Sequence, residues 1–157
     1  MKRSLRAPKP KGVKARVGAI GVRRFSVEFT VSNIEDEILV RRGRLAPEQA
    51  RRITLSGVVD SGASHLVLPR AVVQQLGLQP NGTMSVRYAN GLVAEREKVM
   101  GAFVELMGRS NEFGALVEPR RRDALIGSIV LEALDFLIDP LNERIIPGHA
   151  RGPLFEI

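Results

Sequence analysis

Residues 58–63 read Val-Val-Asp-Ser-Gly-Ala and place a carboxylate, Asp60, where carboxylates are expensive. The apolar run of residues 53–59 leads directly into it, and a second apolar run, Leu66-Val67-Leu68, resumes just after Gly62 and Ala63. Burying a lone charge between two such strands would cost on the order of several kcal/mol, so the acid should be either partnered or functional. The bland alternative is an ordinary turn aspartate. Asp-Ser-Gly alone does not separate the two.

Other catalytic chemistries find little support in the residues present. The chain has no cysteine and only two histidines, which removes thiol nucleophiles, disulfide frameworks and Cys-based zinc sites. There is no His-Glu-x-x-His, no Gly-x-Ser-x-Gly elbow and no phosphate-binding glycine loop. His65 lies too close in sequence to Ser61 and Ser64 for ordinary triad geometry and has no evident orienting acid, so it reads as a surface or hydrogen-bonded histidine. His149, in a Gly/Pro-rich tail, reads as solvated. Neither a metal nor a cofactor is expected.

The elements that would position Asp60 follow from side-chain periodicity. Residues 25–31 alternate apolar and polar, as a strand with one face on a core does, and residues 53–59 form a second strand. Residues 32–50 are polar and broken by Gly43 and Pro47, which predicts a long loop with at most a helical turn at 47–51. Pro69 and Gly77 bracket a short helix with Val72, Val73 and Leu76 inward. Residues 84–88 and 92–99 flank Asn90-Gly91, which predicts a projecting hairpin on a type I′ turn. Residues 102–107 and 113–117 read as another strand pair bridged at 108–111, Ala124-Leu-Ile-Gly127 as a further apolar segment, and residues 128–134 as a helix that Ser128 can cap. A last hairpin turns at Asp139-Pro-Leu-Asn142. The sum is an all-β, mainly β domain with two short helices, of the barrel or folded-sheet kind.

At 157 residues and 44% apolar content, one core is expected, and no apolar run approaches the roughly 20 residues of a membrane span. No signal core follows the first residues, so a cytoplasmic address is expected. The net charge of +7 is concentrated at the front: residues 1–27 hold nine basic residues and no acidic one, leaving 15 basic against 17 acidic in the remainder. Residues 1–24 are therefore expected to form a disordered basic arm, with weak contact to nucleic acid or anionic surfaces, or a targeting role, as the sharper readings.

Asp60-Ser61-Gly62-Ala63 after an apolar strand, then a strand and short helix, a Gly-tipped hairpin, and a distant Leu125-Ile126-Gly127 before a helix, resemble the retropepsin-like aspartic peptidases, particularly small bacterial stand-alone members. The resemblance covers about residues 25–146. It implies a single-lobed acid protease barrel over residues 25–147 that works as a homodimer, with Asp60 as the catalytic acid of each subunit meeting its mate around one water. Ser61 would bridge the two loops, Gly62 would admit substrate backbone, and Tyr88-Ala89-Asn90-Gly91 would form the flap over a peptide substrate. Leu125, Ile126 and Gly127 would frame the site. Tyr88 is equally well read as a cross-strand packing residue.

The sequence departs from the viral pattern in two places. Ser64 stands where many viral members carry a substrate-binding acid, and the flap lacks their glycine-rich tip. The tail at 148–157 ends in Leu154, Phe155 and Ile157, apolar enough for a dimer contact. Two other functions remain open on sequence alone: a peptide-binding dimer with little turnover, or a nucleic-acid-associated protein acting through the arm.

Overall fold

The computed structural model describes residues 24–157, so the arm up to residue 23 lies outside the described residues. Nine strands and three α-helices follow one another: β1 (Phe25–Asn33), α1 (Ile34–Arg41), β2 (Arg52–Val59), β3 (Leu66–Pro69), α2 (Arg70–Leu76), β4 (Gln79–Arg87), β5 (Val93–Leu106), β6 (Arg109–Glu118), β7 (Ala124–Ile126), α3 (Ser128–Ala133), β8 (Phe136–Asp139) and β9 (Arg144–Pro147). A single 3-10 turn, Pro47–Gln49, precedes β2.

The main sheet runs β1-β2-β7-β3-β6-β5-β4, and β1 also pairs with β5. That extra ladder closes six strands into a barrel and leaves β4 outside, attached to β5 alone. Closure removes the exposed edges an open sheet would present. Inside lie Val31, Val59, Leu68, Val104, Val117 and Ile126, all without solvent exposure, with Val130 and Leu134 of the α3 region and Leu76 of α2 closing the ends. The period-two pattern of β1 is realised as buried Phe25, Phe29 and Val31.

The region expected to be one long loop contains α1. Its apolar side chains Ile38 and Leu39 are 38% exposed, so no inward stripe announces it. Polar contacts hold it instead. Asn33 Oδ1 accepts from the Glu35 amide at 2.8 Å and caps the helix, while Asn33 Nδ2 donates to the Leu76 carbonyl at 2.8 Å, where α2 ends. Glu35, Asp36 and Glu37 occupy the first turn, where negative charge suits the helix dipole. Arg51 grips Asp36 through Nε and Nη2 at 2.8 and 2.9 Å, and its backbone amide adds a third bond at 2.9 Å. Arg52 pairs with Glu37 in the same forked way, at 2.8 and 3.1 Å. Three helices, not two, therefore accompany the strands.

Three other local expectations change. The strands read at 92–99 and 102–107 are one strand, β5, whose register shifts between Val99 and Ala102 around Gly101 at φ +82°. Ser128 does not cap α3; Gly127 is the cap residue and Ser128 begins the helix. The type I′ geometry expected at Asn90-Gly91 appears elsewhere. Met107 (φ +49°) and Gly108 (φ +77°) form a two-residue link between paired Leu106 and Arg109. At residues 88–92 only Gly91 has positive φ, and its amide closes a turn onto the Tyr88 carbonyl at 2.9 Å, with Tyr88 N–H bonded to Leu92 O at 2.8 Å.

Arg51 holds the buried Asp36 carboxyl below its ordinary value, and Arg52 does the same for Glu37, against the opposing effect of burial. Groups lowered in the fold add stability above the unfolded carboxylate range and lose it as pH falls through their depressed values. Asp36→Ala should cost about 1–3 kcal/mol near neutral pH by stranding the Arg51 amide and guanidinium. In urea unfolding, the gap between variant and parent should shrink on acidification; a gap that is constant across pH would rule out the ion pair as its source.

Candidate active site

Asp60 leaves the end of β2 and turns with Ser61, Gly62 and Ala63 into β3. Its backbone amide donates to the Ile126 carbonyl at 3.1 Å, extending the parallel β2–β7 ladder by one residue, and its carbonyl accepts from Ala63 N–H at 3.2 Å. The side chain is 7% exposed. Oδ1 accepts from the Gly62 amide at 2.9 Å, and Oδ2 lies 3.0 Å from Nη2 of Arg24. Both carboxylate oxygens are thus engaged. A charge at this depth is tolerable because an amide and a guanidinium face it.

The distant Leu-Ile-Gly segment does meet this loop. β7 lies between β2 and β3, parallel to the first and antiparallel to the second, so Val59 pairs with Ile126 and Ile126 with Leu66. Ser128 N–H then donates to Ala63 O at 2.8 Å and Ile129 N–H to Ser64 O at 3.0 Å, so the first turn of α3 satisfies the loop's carbonyls. Gly127 sits at the tightest point. A Cβ built there would lie 2.5 Å from His65 O and 2.7 Å from Ser64 C, both backbone atoms. With φ −86° its conformation is open to any residue, so space alone requires glycine.

Ser61 is exposed and makes no side-chain hydrogen bond within the described residues. Ser64 Oγ and His65 Nδ1 form an exposed pair at 2.6 Å, which satisfies the histidine locally. His149, half exposed, is bonded through Nδ1 to Asp135 Oδ2 at 2.9 Å. Tyr88, Ala89, Asn90 and Gly91 form the tip of the β4–β5 hairpin, where Asn90 Oδ1 also accepts from Leu92 N–H at 3.0 Å. Tyr88 neither points free nor packs across the strand pair alone: its hydroxyl donates to Glu118 Oε1, which Arg96 Nε also contacts at 2.7 Å. No hydrogen bond or ion pair joins these tip residues to the Asp60 loop among the described residues. Nor does any group of three His, Asp or Glu among them approach metal-binding geometry.

Sequence reasoning missed Arg24, Arg96 and Glu118. Arg24 was assigned to the arm, yet the antiparallel register that pairs Phe25 with Val59 sets residue 24 opposite residue 60. Only the register supplies that signal.

Gly127→Ala should force the 64–65 backbone or α3 to shift by several tenths of an ångström, at a cost of about 1–3 kcal/mol. Thermal unfolding and backbone amide chemical shifts of residues 60–65 check this, and an unmoved loop with unchanged stability would show the contact to be slack.

Several comparisons bear on this geometry. A family model described as "Aspartyl protease" matches residues 51–130, which include the Asp60 loop, the hairpin tip and Leu125-Ile126-Gly127. No curated protein matches the chain. Among solved structures, EIAV protease complexed with the inhibitor HBY-793 superposes with a TM-score of 0.51 at 15% identity, covering 71% of this chain and 88% of that one. At that identity the likeness shows a shared fold: the mostly β barrel with short helices is that of a retroviral protease.

Proposed function

The chain belongs to the aspartyl protease family, matched over residues 51–130, and from that premise we propose that it hydrolyses peptide bonds as a homodimer, with Asp60 of each subunit flanking one water. The observation that carries this reading is a buried carboxylate on a Gly-turn loop, braced from behind by α3, in a chain with a single Asp-Ser-Gly sequence. Peptide hydrolysis of this type needs two carboxylates with different tasks. One chain supplies one, so the second must come from a symmetric copy.

Two ionised carboxylates about 3 Å apart would repel by roughly 5–6 kcal/mol at an effective dielectric near 20. Sharing one proton relieves this and divides the labour. The ionised Asp60 takes a proton from water as its oxygen attacks the peptide carbonyl, and the protonated one donates to the carbonyl oxygen as negative charge develops. Arg24, 54% exposed, moves aside for the second carboxylate, and the proton then shared by the two acids replaces it in offsetting the buried charge. Ser61, exposed beside the acid, bonds its symmetry mate in this reading, and Gly62 leaves room for substrate backbone. The hairpin tip 88–91 acts as the lid that excludes water. Leu154 and Phe155, more than half exposed in the tail, add apolar surface for the dimer.

Asp60→Asn should lower kcat on a diverse peptide library by about a thousandfold or more, from acidic to neutral pH, while sedimentation still finds a dimer. Equal cleavage by variant and parent would refute the catalytic role. A dimer that holds peptide without cleaving it would favour the binding-module reading.

A further inference from the structure

The β5–β6 backbone ladder ends at Lys98 opposite Leu116, although both strands continue: β5 begins at Val93 and β6 runs on to Glu118. Beyond that point β6 stays fixed to the barrel through β3, with Pro69 paired to Glu118. The β4–β5 hairpin has no such backbone support and stands away from the barrel, joined to it by side chains.

Among the described residues, two polar side-chain links join the hairpin to the barrel. Arg70 Nη1 reaches Glu97 Oε2 at 3.2 Å, but these partners are 45% and 35% exposed, where solvent screening leaves little net attraction. The other link is better protected. Glu118 is 17% exposed and Arg96 27%, and Glu118 Oε1 receives both Arg96 Nε at 2.7 Å and the Tyr88 hydroxyl. The Arg96 guanidinium also lies over the Tyr88 ring, 5.5 Å from its centroid. One carboxylate oxygen fixed on the barrel thus collects a donor from the shaft of the hairpin and a donor from its tip.

We propose that Glu118 is a positioning residue for the hairpin, and that its bonds to Tyr88 and Arg96 set the resting position of the tip from which it closes on a peptide. The effect on catalysis rests on the peptidase reading above; the tether itself does not. Each bond to the charged carboxylate biases the docked over the released hairpin by about tenfold to a hundredfold. Burial works against the ionised Glu118, but the Tyr88 hydroxyl, Arg96 from β5 and Arg121 from the β6–β7 loop outweigh it and hold the carboxyl below its ordinary value. Burial and the adjacent Glu118 raise the Tyr88 phenol above its ordinary value.

Tyr88 is the single tyrosine of a chain without tryptophan, so the near-ultraviolet phenol signal of the intact protein reports this residue alone. In Glu118→Ala the Tyr88 titration should fall back toward the free phenol value of about 10. Tyr88→Phe, which keeps the ring, should exchange the amides of residues 84–97 about tenfold faster while the β1–β2 ladder stays as protected as in the parent. Glu118→Gln retains an acceptor without the charge and should lie between parent and alanine variant. With a cleaved peptide in hand, Tyr88→Phe should lose about tenfold in kcat/KM, chiefly through KM. Unchanged titration and unchanged hairpin exchange would overturn the tether. So would altered exchange with KM and kcat both as in the parent, which would remove its role in positioning. If instead Asp60→Asn cleaves as well as the parent, the peptidase reading falls, and the titration and exchange results still decide for or against the tether.

Discussion

The close approach of Gly127 to the backbone of Ser64 and His65 is the constraint on which the rest of the site depends. It lets β7 slide between β2 and β3, gives the Asp60 amide a partner in the Ile126 carbonyl, and brings the first turn of α3 under the loop so that its orphan N–H groups meet the carbonyls of Ala63 and Ser64. One missing methyl group therefore serves three purposes. The loop's backbone carbonyls are thereby satisfied from behind by α3.

A second pattern is the distribution of arginine. Asp36, Glu37, Asp60 and Glu118 are all largely buried as side chains, and each faces a guanidinium from a different part of the chain: Arg51, Arg52, Arg24 and Arg96. The flat, forked donor set of arginine suits a half-buried carboxylate, since it can satisfy one or both oxygens while its outer edge stays in water. Three of these pairs link separate elements across the barrel surface. The fourth differs in exposure: Arg24 is the most exposed of the four guanidiniums and meets Asp60 from the edge of solvent.

Much of this architecture was legible before any coordinates. Period-two patterning located β1, the apolar run before Asp60 located β2, Pro69 and Gly77 bracketed α2, and the Asp60 and Leu125-Ile126-Gly127 segments were paired through a family resemblance that the β2–β7–β3 arrangement explains physically. What escaped has a common cause. The α1 helix rests on a cap and on ion pairs to residues about 15 positions away, not on an apolar stripe that periodicity could detect. The split of β5 reflects Gly101, which reads as a break in sequence but serves as an irregularity within one strand. The Met107–Gly108 link was obscured because methionine seldom takes positive φ, and the ladder of β5 and β6 imposes it. Arg24 meets Asp60, and Arg96 meets Glu118, through register and closure, which local patterns do not encode.

The parallel contact of β2 with β7 joins residues 57–59 to 124–126, more than sixty positions apart. Contacts of such span form late, because the loop between them must be closed at an entropic cost before any bond is gained. A polypeptide still emerging from the ribosome would already carry its aspartate while lacking the strand that holds it in place. The order of synthesis thus delays assembly of the Asp60 loop until most of the barrel exists.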